Sequence, residues 1–526
     1  MAWTKAMPLE RLARDGAAVA KVGGRQVAVF RAGADILACN NRCPHEGYPL
    51  REGTLDRDCV LTCNWHNWKF DLRTGANLLG GDALRVYPTR VEDGAVWVDI
   101  TDPPAAERAA RARANLRAAF DDHEYDRIAR ELSRLAKAGD DPVGAVADAA
   151  IWSHDRLEFG MTHALAAAAC WLRVHDESSD PELRLACLVE AIGHMAWDGL
   201  REAEHPYPTA SAPWDEPAFL AAIEAQDEAQ AVARLRGALD AGLGFAGVER
   251  ALSTAALAHY ADFGHALIYV VHAGALIARL GERVALPVLL ALVRSLVYAS
   301  REDLIPEFRS YAPALAAWNG VPCPAPDVSG PGAFRGRPVP DTLAAIVAAR
   351  ATPAPALHRA LFGAGAADLL QFDTRWENQT DGSIAQNVGW LDFTHVITFA
   401  NAARLQCAKF PELWPAALLQ VGCFLGRNAA FTDQRDHLAQ WRVGDRAAFE
   451  AASVARIVDH GEDLYIRSAH LLKTFLAARD EVAAGLPPEI ETVTLAAVNR
   501  FLNTPPKRKH VRRTVRQAAE FVALED

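Results

Sequence analysis

Cysteine and long apolar runs are both scarce in this chain, and each scarcity excludes a class of protein. Nine cysteines spread over 526 residues do not make the disulfide framework of a small secreted domain. The segment Met1 to Leu12 has no apolar h-region, so no secretory leader is expected and the chain reads as soluble and cytoplasmic. The most apolar stretch, Phe263 to Ala278, is shorter than a bilayer span and carries His265 and His272; it predicts a buried helix, not a membrane segment. Basic clusters are equally rare. Residues 1–102 hold 13 Lys+Arg and 13 Asp+Glu, so the whole net charge of −11 falls on the remainder. The one basic patch, Lys507-Arg508-Lys509 with Arg512 and Arg513, reads as a solvated helix start, and no nucleic-acid partner is expected. A dinucleotide fingerprint is missing too. Gly242-Leu-Gly-Phe-Ala-Gly247 matches G-x-G-x-x-G, but a helical pattern precedes it where a strand is required, which predicts a helix-ending turn.

What is present divides the chain. Its length implies two or three domains. Up to about Ile100 the pattern alternates as in strands, for example over Arg25–Arg31 and Ala95–Ile100, broken by Gly23-Gly24, Gly33, Gly75 and Gly80-Gly81. Thr101-Asp-Pro-Pro104 ends the strands, and from Glu107 onward Ala/Leu/Arg/Glu segments recur at helical spacing. The expected architecture is multidomain: an all-β domain over 1–102, then a large all-α helical bundle over 103–526. A Pro/Gly-rich break at 320–340 interrupts the helices.

Within the β region, Cys43-Pro-His45 and Cys63-Asn-Trp-His66 form C-x-H, seventeen residues, then C-x-x-H. Two thiolates can hold one iron and two neutral imidazoles the other, which raises the potential above that of an all-Cys cluster. The same residue types also make Cys2His2 zinc sites. The surroundings, Cys43-Pro-His-Glu-Gly-Tyr-Pro-Leu50 and Cys63-Asn-Trp-His-Asn-Trp-Lys-Phe-Asp-Leu72 followed by Thr74-Gly75, resemble Rieske ferredoxins and the Rieske domains of oxygenases. That resemblance implies a [2Fe–2S] cluster on Cys43, His45, Cys63 and His66. The chain departs from the family pattern at Asn64, where Pro is usual, and at Asn67, where Gly follows the second His. Asn is the non-Gly residue best suited to positive φ, so the tight loop is expected to survive. Tyr48 and Trp65 stand where the respiratory branch has an extra disulfide, and a serine donor to the cluster is missing, which favours a lower potential. Cys39 and Cys59 are expected to pack in the core.

A cluster of this kind moves single electrons, and some four hundred further residues suggest a destination on the same chain. The two-His, one-carboxylate iron of the usual oxygenases goes with an H-x-x-x-x-H spacing that is absent here. The helical region instead repeats a short pattern: Asp262-Phe-Gly-His265 recurs as Asp392-Phe-Thr-His395, with a looser copy from Glu158 to His163. Carboxylate and imidazole three residues apart share a helix face, as in bundles that hold iron between helices. Glu190 and His194 form another acid–histidine pair. The expected second site is therefore a mono- or dinuclear non-haem iron drawn from Asp262, His265, Asp392, His395, Glu158, His163, Glu190 and His194. Buried Asp–His hydrogen bonds and helix caps produce the same pattern without a metal. Segments around Glu158–Leu165, His265–Leu276 and Asp392–Arg404 are also similar to questin oxidase-like proteins, which implies oxidation of an aromatic or polyketide-like substrate.

The functional expectation is an iron–sulfur oxidoreductase, an oxygenase or oxidase acting on a small organic substrate with O2. With no flavin or nicotinamide motif, its electrons come from a separate ferredoxin reductase or similar donor. The competing expectation is an electron-transfer protein whose helical region docks a redox partner. Rieske oxygenases often form rings in which one subunit's cluster serves a neighbour's iron, so a homo-oligomer is among the expected assemblies. Trp152, Trp171, Trp197, Tyr260, Trp376 and Trp390 supply aromatic surface for a pocket or for the core.

Overall fold

The computed structural model describes residues 3–319, 332, 334–383, 386–505 and 511–524. The chain divides into two compact units, Met1–Pro142 and Val143–Asp526. Most of the proline- and glycine-rich break and the basic Lys507-Arg508-Lys509 lie outside the described residues.

Among the described residues of the first unit, eleven strands form three antiparallel sheets. Strands β1 (Trp3–Pro8), β11 (Ala95–Asp99) and β10 (Thr89–Glu92) make one sheet. A second contains β2 (Ala17–Val22), β3 (Arg25–Ala32), β4 (Asp35–Asn40) and β9 (Val86–Tyr87). The third contains β5 (Thr54–Leu55), β6 (Val60–Thr62), β7 (Lys69–Asp71) and β8 (Asn77–Leu79). Strand β3 explains the arrangement. Side chains alternate across a strand, and here both faces are buried: Val27 and Val29 enter one apolar core, Ala28 and Phe30 another. The second core also holds Cys43, Cys63, Leu61 and Phe70, so both cysteine-bearing loops are rooted in it. Cys39 and Cys59 are buried, as expected.

Helices α1 (Ala105–Asp121) and α2 (Tyr125–Ala138) belong to this first unit, which therefore extends beyond its last strand to Pro142. The reason is electrostatic. Arg127, Arg130 and Arg134 recur along one face of α2 and converge on Asp82, which is fully buried in the loop after β8. The Arg130 and Arg134 nitrogens lie 2.7 and 3.1 Å from its Oδ2, and that of Arg127 lies 3.2 Å from Oδ1.

In the second unit, helices α3 (His163–Glu177), α5 (His265–Leu280), α6 (Trp390–Lys409) and α7 (Tyr465–Ala483) pack in a closed ring, each on the next and α7 back on α3. Helix α4 (Pro181–Asp198) packs outside the ring against α3. The stretch Asp262–Leu280 is long and apolar enough to cross a membrane by composition alone, yet α5 within it packs against α3, α6 and the helix Gly244–Ala258 and half of the stretch is buried. The Gly242–Gly247 segment is the expected turn: the helix Glu228–Asp240 ends before it and the next begins at Gly244.

Replacing Asp82 with Ala should leave Arg130 without its carboxylate, while Arg127 keeps Glu124 and Arg134 keeps Glu131. Breaking a fully buried pair costs about 3–5 kcal/mol. Arg134 is partly solvated, so about 2–3 kcal/mol is expected here. Denaturant unfolding followed by the tryptophan signal of the first unit measures it, and an unchanged midpoint would show that Asp82 does not fasten α2.

Candidate metal centres

The helix ring brings four histidines together, one from each helix. Their ligand nitrogens all lie within 4.8 Å of one another. His163 and His265 open α3 and α5, while His395 and His470 lie in the second turns of α6 and α7. The Nε2 atoms of His163 and His265 are 3.0 Å apart, as are those of His395 and His470. Two of the rings are fixed from behind. His265 donates Nδ1–H to the Asp262 carbonyl at 2.5 Å, and His470 donates to the Ile466 carbonyl at 2.6 Å. That tautomer leaves both Nε2 lone pairs pointing inward. The Tyr269 hydroxyl lies 3.4 Å from Nδ1 of His163.

Electrostatics keep this set neutral. Burial, then the nearby Lys473 ammonium, pushes the His265 imidazole down to about 4, and burial likewise holds His163, His395 and His470 well below their ordinary value. Lys473 is itself buried and is pushed down to about 8. Neutral imidazoles with inward lone pairs are metal donors, and imidazole suits Zn, Cu, Fe and Ni. The separations fit as well, since two nitrogens sharing one metal at about 2.1 Å lie roughly 3–4 Å apart. The four residues present can therefore hold a transition-metal ion.

The structure separates these four from the rest of the expected set. Asp262 uses Oδ1 to accept the Ser300 backbone N–H at 2.7 Å, and its carbonyl, not its carboxylate, holds His265. Asp392 accepts the Gly389 N–H at 2.8 Å and so caps the start of α6. Glu158 is exposed in the loop before α3. Glu190 accepts from His460 at 3.0 Å, and His194 stacks on Tyr465 with ring centres 5.1 Å apart. The repeated D-x-x-H pattern thus marks helix starts that carry a histidine, and its carboxylates serve the backbone. A carboxylate-bridged metal pair loses its bridging groups. His470 was not expected: no acid stands three or four residues from it in the Asp-x-x-His sense. Its one sequence signal is a polar residue on the buried face of α7, with Ala469, Leu472 and Phe475 beside it.

The turn before α5 is strained. Asp262, Phe263 and Gly264 have successive φ values of 47°, 46° and 81°, the left-handed region that costs non-glycine residues roughly 1–2 kcal/mol each. The turn aims the Asp262 carbonyl at His265. A Cβ on Gly264 would also lie 2.7 Å from the Phe399 ring. Gly264→Ala should therefore destabilise the helical unit by about 1–3 kcal/mol and lower its bound metal, measured by thermal unfolding and elemental analysis. A variant with unchanged stability and metal content would refute the positioning role. A pH dependence also follows. His265 has a folded pKa depressed to about 4 against about 6.5 unfolded, so its neutral burial contributes stability that is present above pH 6.5 and lost progressively as pH falls toward 4. Metal-free protein should show a falling Tm across that window, and a flat profile would contradict it.

In the first unit the two cysteine loops are built alike. The N–H of Cys43 donates to the Tyr48 carbonyl and that of Gly47 to the Cys43 carbonyl, each at 2.9 Å. The second loop repeats this: Cys63 donates to Trp68 at 2.8 Å and Asn67 to Cys63 at 2.9 Å. Gly47 and Asn67 occupy equivalent positions with φ of 79° and 60°, so Asn67 adopts the positive φ expected of it. Asn64 ties its loop to the one before it, donating to the Glu52 carbonyl at 2.8 Å and accepting from Thr54 at 3.1 Å. Both thiols are buried. Burial pushes the Cys43 thiol up to about 11, against backbone N–H groups of His45 and Glu46 that favour its thiolate. Nδ1 of His45 and Nδ1 of His66 lie 3.1 Å apart, the spacing of two nitrogens on one metal. The His45 ring stacks on Trp68 at 4.5 Å. Two adjoining thiols and two paired imidazoles on mirrored loops fit an iron–sulfur cluster, whose two irons take the two donor types.

The family model of the Rieske [2Fe-2S] domain matches residues 2–87. The 3-phenylpropionate/cinnamic acid dioxygenase ferredoxin subunit of Escherichia coli (strain K12) is 35% identical over 78 residues, covering 14% of this chain and 74% of the relative. The anthranilate 1,2-dioxygenase ferredoxin subunit of Burkholderia cepacia is 33% identical over 100 residues, covering 19% of this chain and 92% of the relative. Among solved structures, the ferredoxin of carbazole 1,9a-dioxygenase from Nocardioides aromaticivorans IC177 is 26% identical, with a TM-score of 0.18, covering 19% of this chain and all of that one. Through its N-terminal domain, the chain belongs to the Rieske [2Fe–2S] family.

Proposed function

We propose that the chain is an oxidoreductase in which a Rieske cluster on Cys43, His45, Cys63 and His66 feeds electrons to a mononuclear non-haem iron on His163, His265, His395 and His470, for O2-dependent oxidation of a small organic substrate. The observation that carries this reading is the convergence of four neutral imidazoles, one per helix, on the same chain as an electron-transfer domain. When bound, the cluster supplies single electrons and an imidazole-held iron supplies a centre that activates O2.

The protein's own residues supply access and protons. A cleft of about 850 Å3 reaches His265 and Tyr269 and is also lined by Thr162, Asp198 and Glu302. Phe159, Phe263 and Tyr298 line it too, each substantially exposed, and rings of this kind suit a flat aromatic substrate. The tryptophans expected by default to pack in the core do not line this cleft; Trp171 and Trp390, for example, are core residues. Burial raises Asp198 to about 6 and Glu302 to about 7, so each carboxyl can hold or release a proton near neutral pH. The Thr162 hydroxyl donates to Asp198 Oδ2 at 2.6 Å and fixes that oxygen in the cleft wall.

Metal analysis tests the proposal. Protein prepared without oxygen should contain about three irons per chain, two from the cluster and one from the helical unit, and the reduced cluster should give the EPR signal of a His-ligated [2Fe–2S] centre. His470→Ala should remove the third iron and abolish O2-dependent turnover with a ferredoxin reductase, while the cluster signal remains. Iron at two per chain with no other metal would favour the electron-transfer alternative.

A further inference from the structure

The Met1–Pro142 unit contains a second concave surface of opposite chemistry. A cavity of about 520 Å3 is lined by seven Arg and Lys residues against two carboxylates, Asp102 and Glu131. Its helical wall comes from α1, where Arg108, Arg111 and Asn115 share one face, and from Arg134 and Lys137 of α2. The opposite wall brings Arg42 from the end of β4 and Arg85 from just before β9.

Both carboxylates are already taken. Arg25 grips Asp102 through two hydrogen bonds, at 3.0 and 2.7 Å, and Arg134 pairs with Glu131. Arg85 and Arg108 also act on Asp102, adding to the Arg25 hydrogen bond that holds its carboxyl below the ordinary range. Arg42, Arg85, Arg108 and Lys137 face the same cavity with no ion pair among the described residues. Arg85 donates to the Thr101 carbonyl at 2.7 Å and lies over the Tyr87 ring. Gathered like charges repel, and an anion in the cavity relieves that repulsion.

We propose that this cavity binds a phosphorylated small molecule carrying at least two negative charges. Four cations that make no ion pair among the described residues exceed what a single carboxylate neutralises, and the guanidinium fork matches phosphate oxygens two at a time. Inorganic polyphosphate and the phosphate chain of a nucleotide offer the same chemistry.

Calorimetric titration of the full-length chain, with its metals in place, tests this using inorganic pyrophosphate and, separately, ATP, at ionic strength set by chloride. One saturable site per chain is expected, weakening as chloride rises. Arg108→Gln and Arg85→Gln should each weaken binding at least tenfold while the visible spectrum of the cluster stays unchanged. Lys137→Gln, at an exposed position, should weaken it too and serves should either arginine variant fail to fold. Equal affinity for the two probes assigns recognition to the phosphates alone, and tighter ATP binding assigns it to a nucleotide. Absence of saturable binding by both probes, or binding unaltered in every folded variant, overturns the proposal.

Discussion

Four imidazole edges, in two pairs 3.0 Å apart and all within 4.8 Å of one another, impose the central constraint on the helical unit. Inward lone pairs repel unless a proton or a metal ion lies between them. Each pair is joined by a metal or by a proton on the Nε2 of His163 or His395, and the surrounding helices set where the four rings meet. The closed packing of α3, α5, α6 and α7 does this. Backbone carbonyls behind His265 and His470 fix the tautomer, and the left-handed turn at 262–264 aims one of those carbonyls. Burial beside Lys473 then keeps the rings neutral.

The cluster domain solves the corresponding problem locally. Each pair of ligands sits in a loop closed by its own two backbone hydrogen bonds, with one positive-φ residue, Gly47 or Asn67, making the turn. The two loops need only a shared core, and Cys43 and Cys63 enter the same apolar cluster as Leu61 and Phe70. Asn67 in place of glycine is tolerated because its amide side chain makes the left-handed region accessible at modest cost. One centre is thus specified by contiguous sequence and the other by helices separated by as many as 307 positions, the span from His163 to His470.

The two outer helices of the first unit show how a domain limit escapes a reading by texture. Composition changes from strand-like to helical after Thr101-Asp-Pro-Pro104, yet α1 and α2 stay with the strands because Asp82 recruits an arginine face of α2. Texture reports local conformation, whereas compactness is decided by long-range pairing: the helical spacing of Arg127, Arg130 and Arg134 is visible, but not that Asp82 is its partner.

From the sequence by itself came the β-then-α order, the cysteine–histidine loops, the positive φ at Asn67, a buried helix over Phe263–Ala278 and three of the four clustered histidines. Each is written in a short window: a spacing, a turn residue or an apolar periodicity. Tertiary structure alone decided that the acids of the two Asp-x-x-His repeats cap backbone while His470 completes the set. A carboxylate at a helix start has the same sequence signature whether it meets a metal or its own N–H groups. Here Asp392 meets the Gly389 N–H of its own helix start and Asp262 the Ser300 N–H of a following loop.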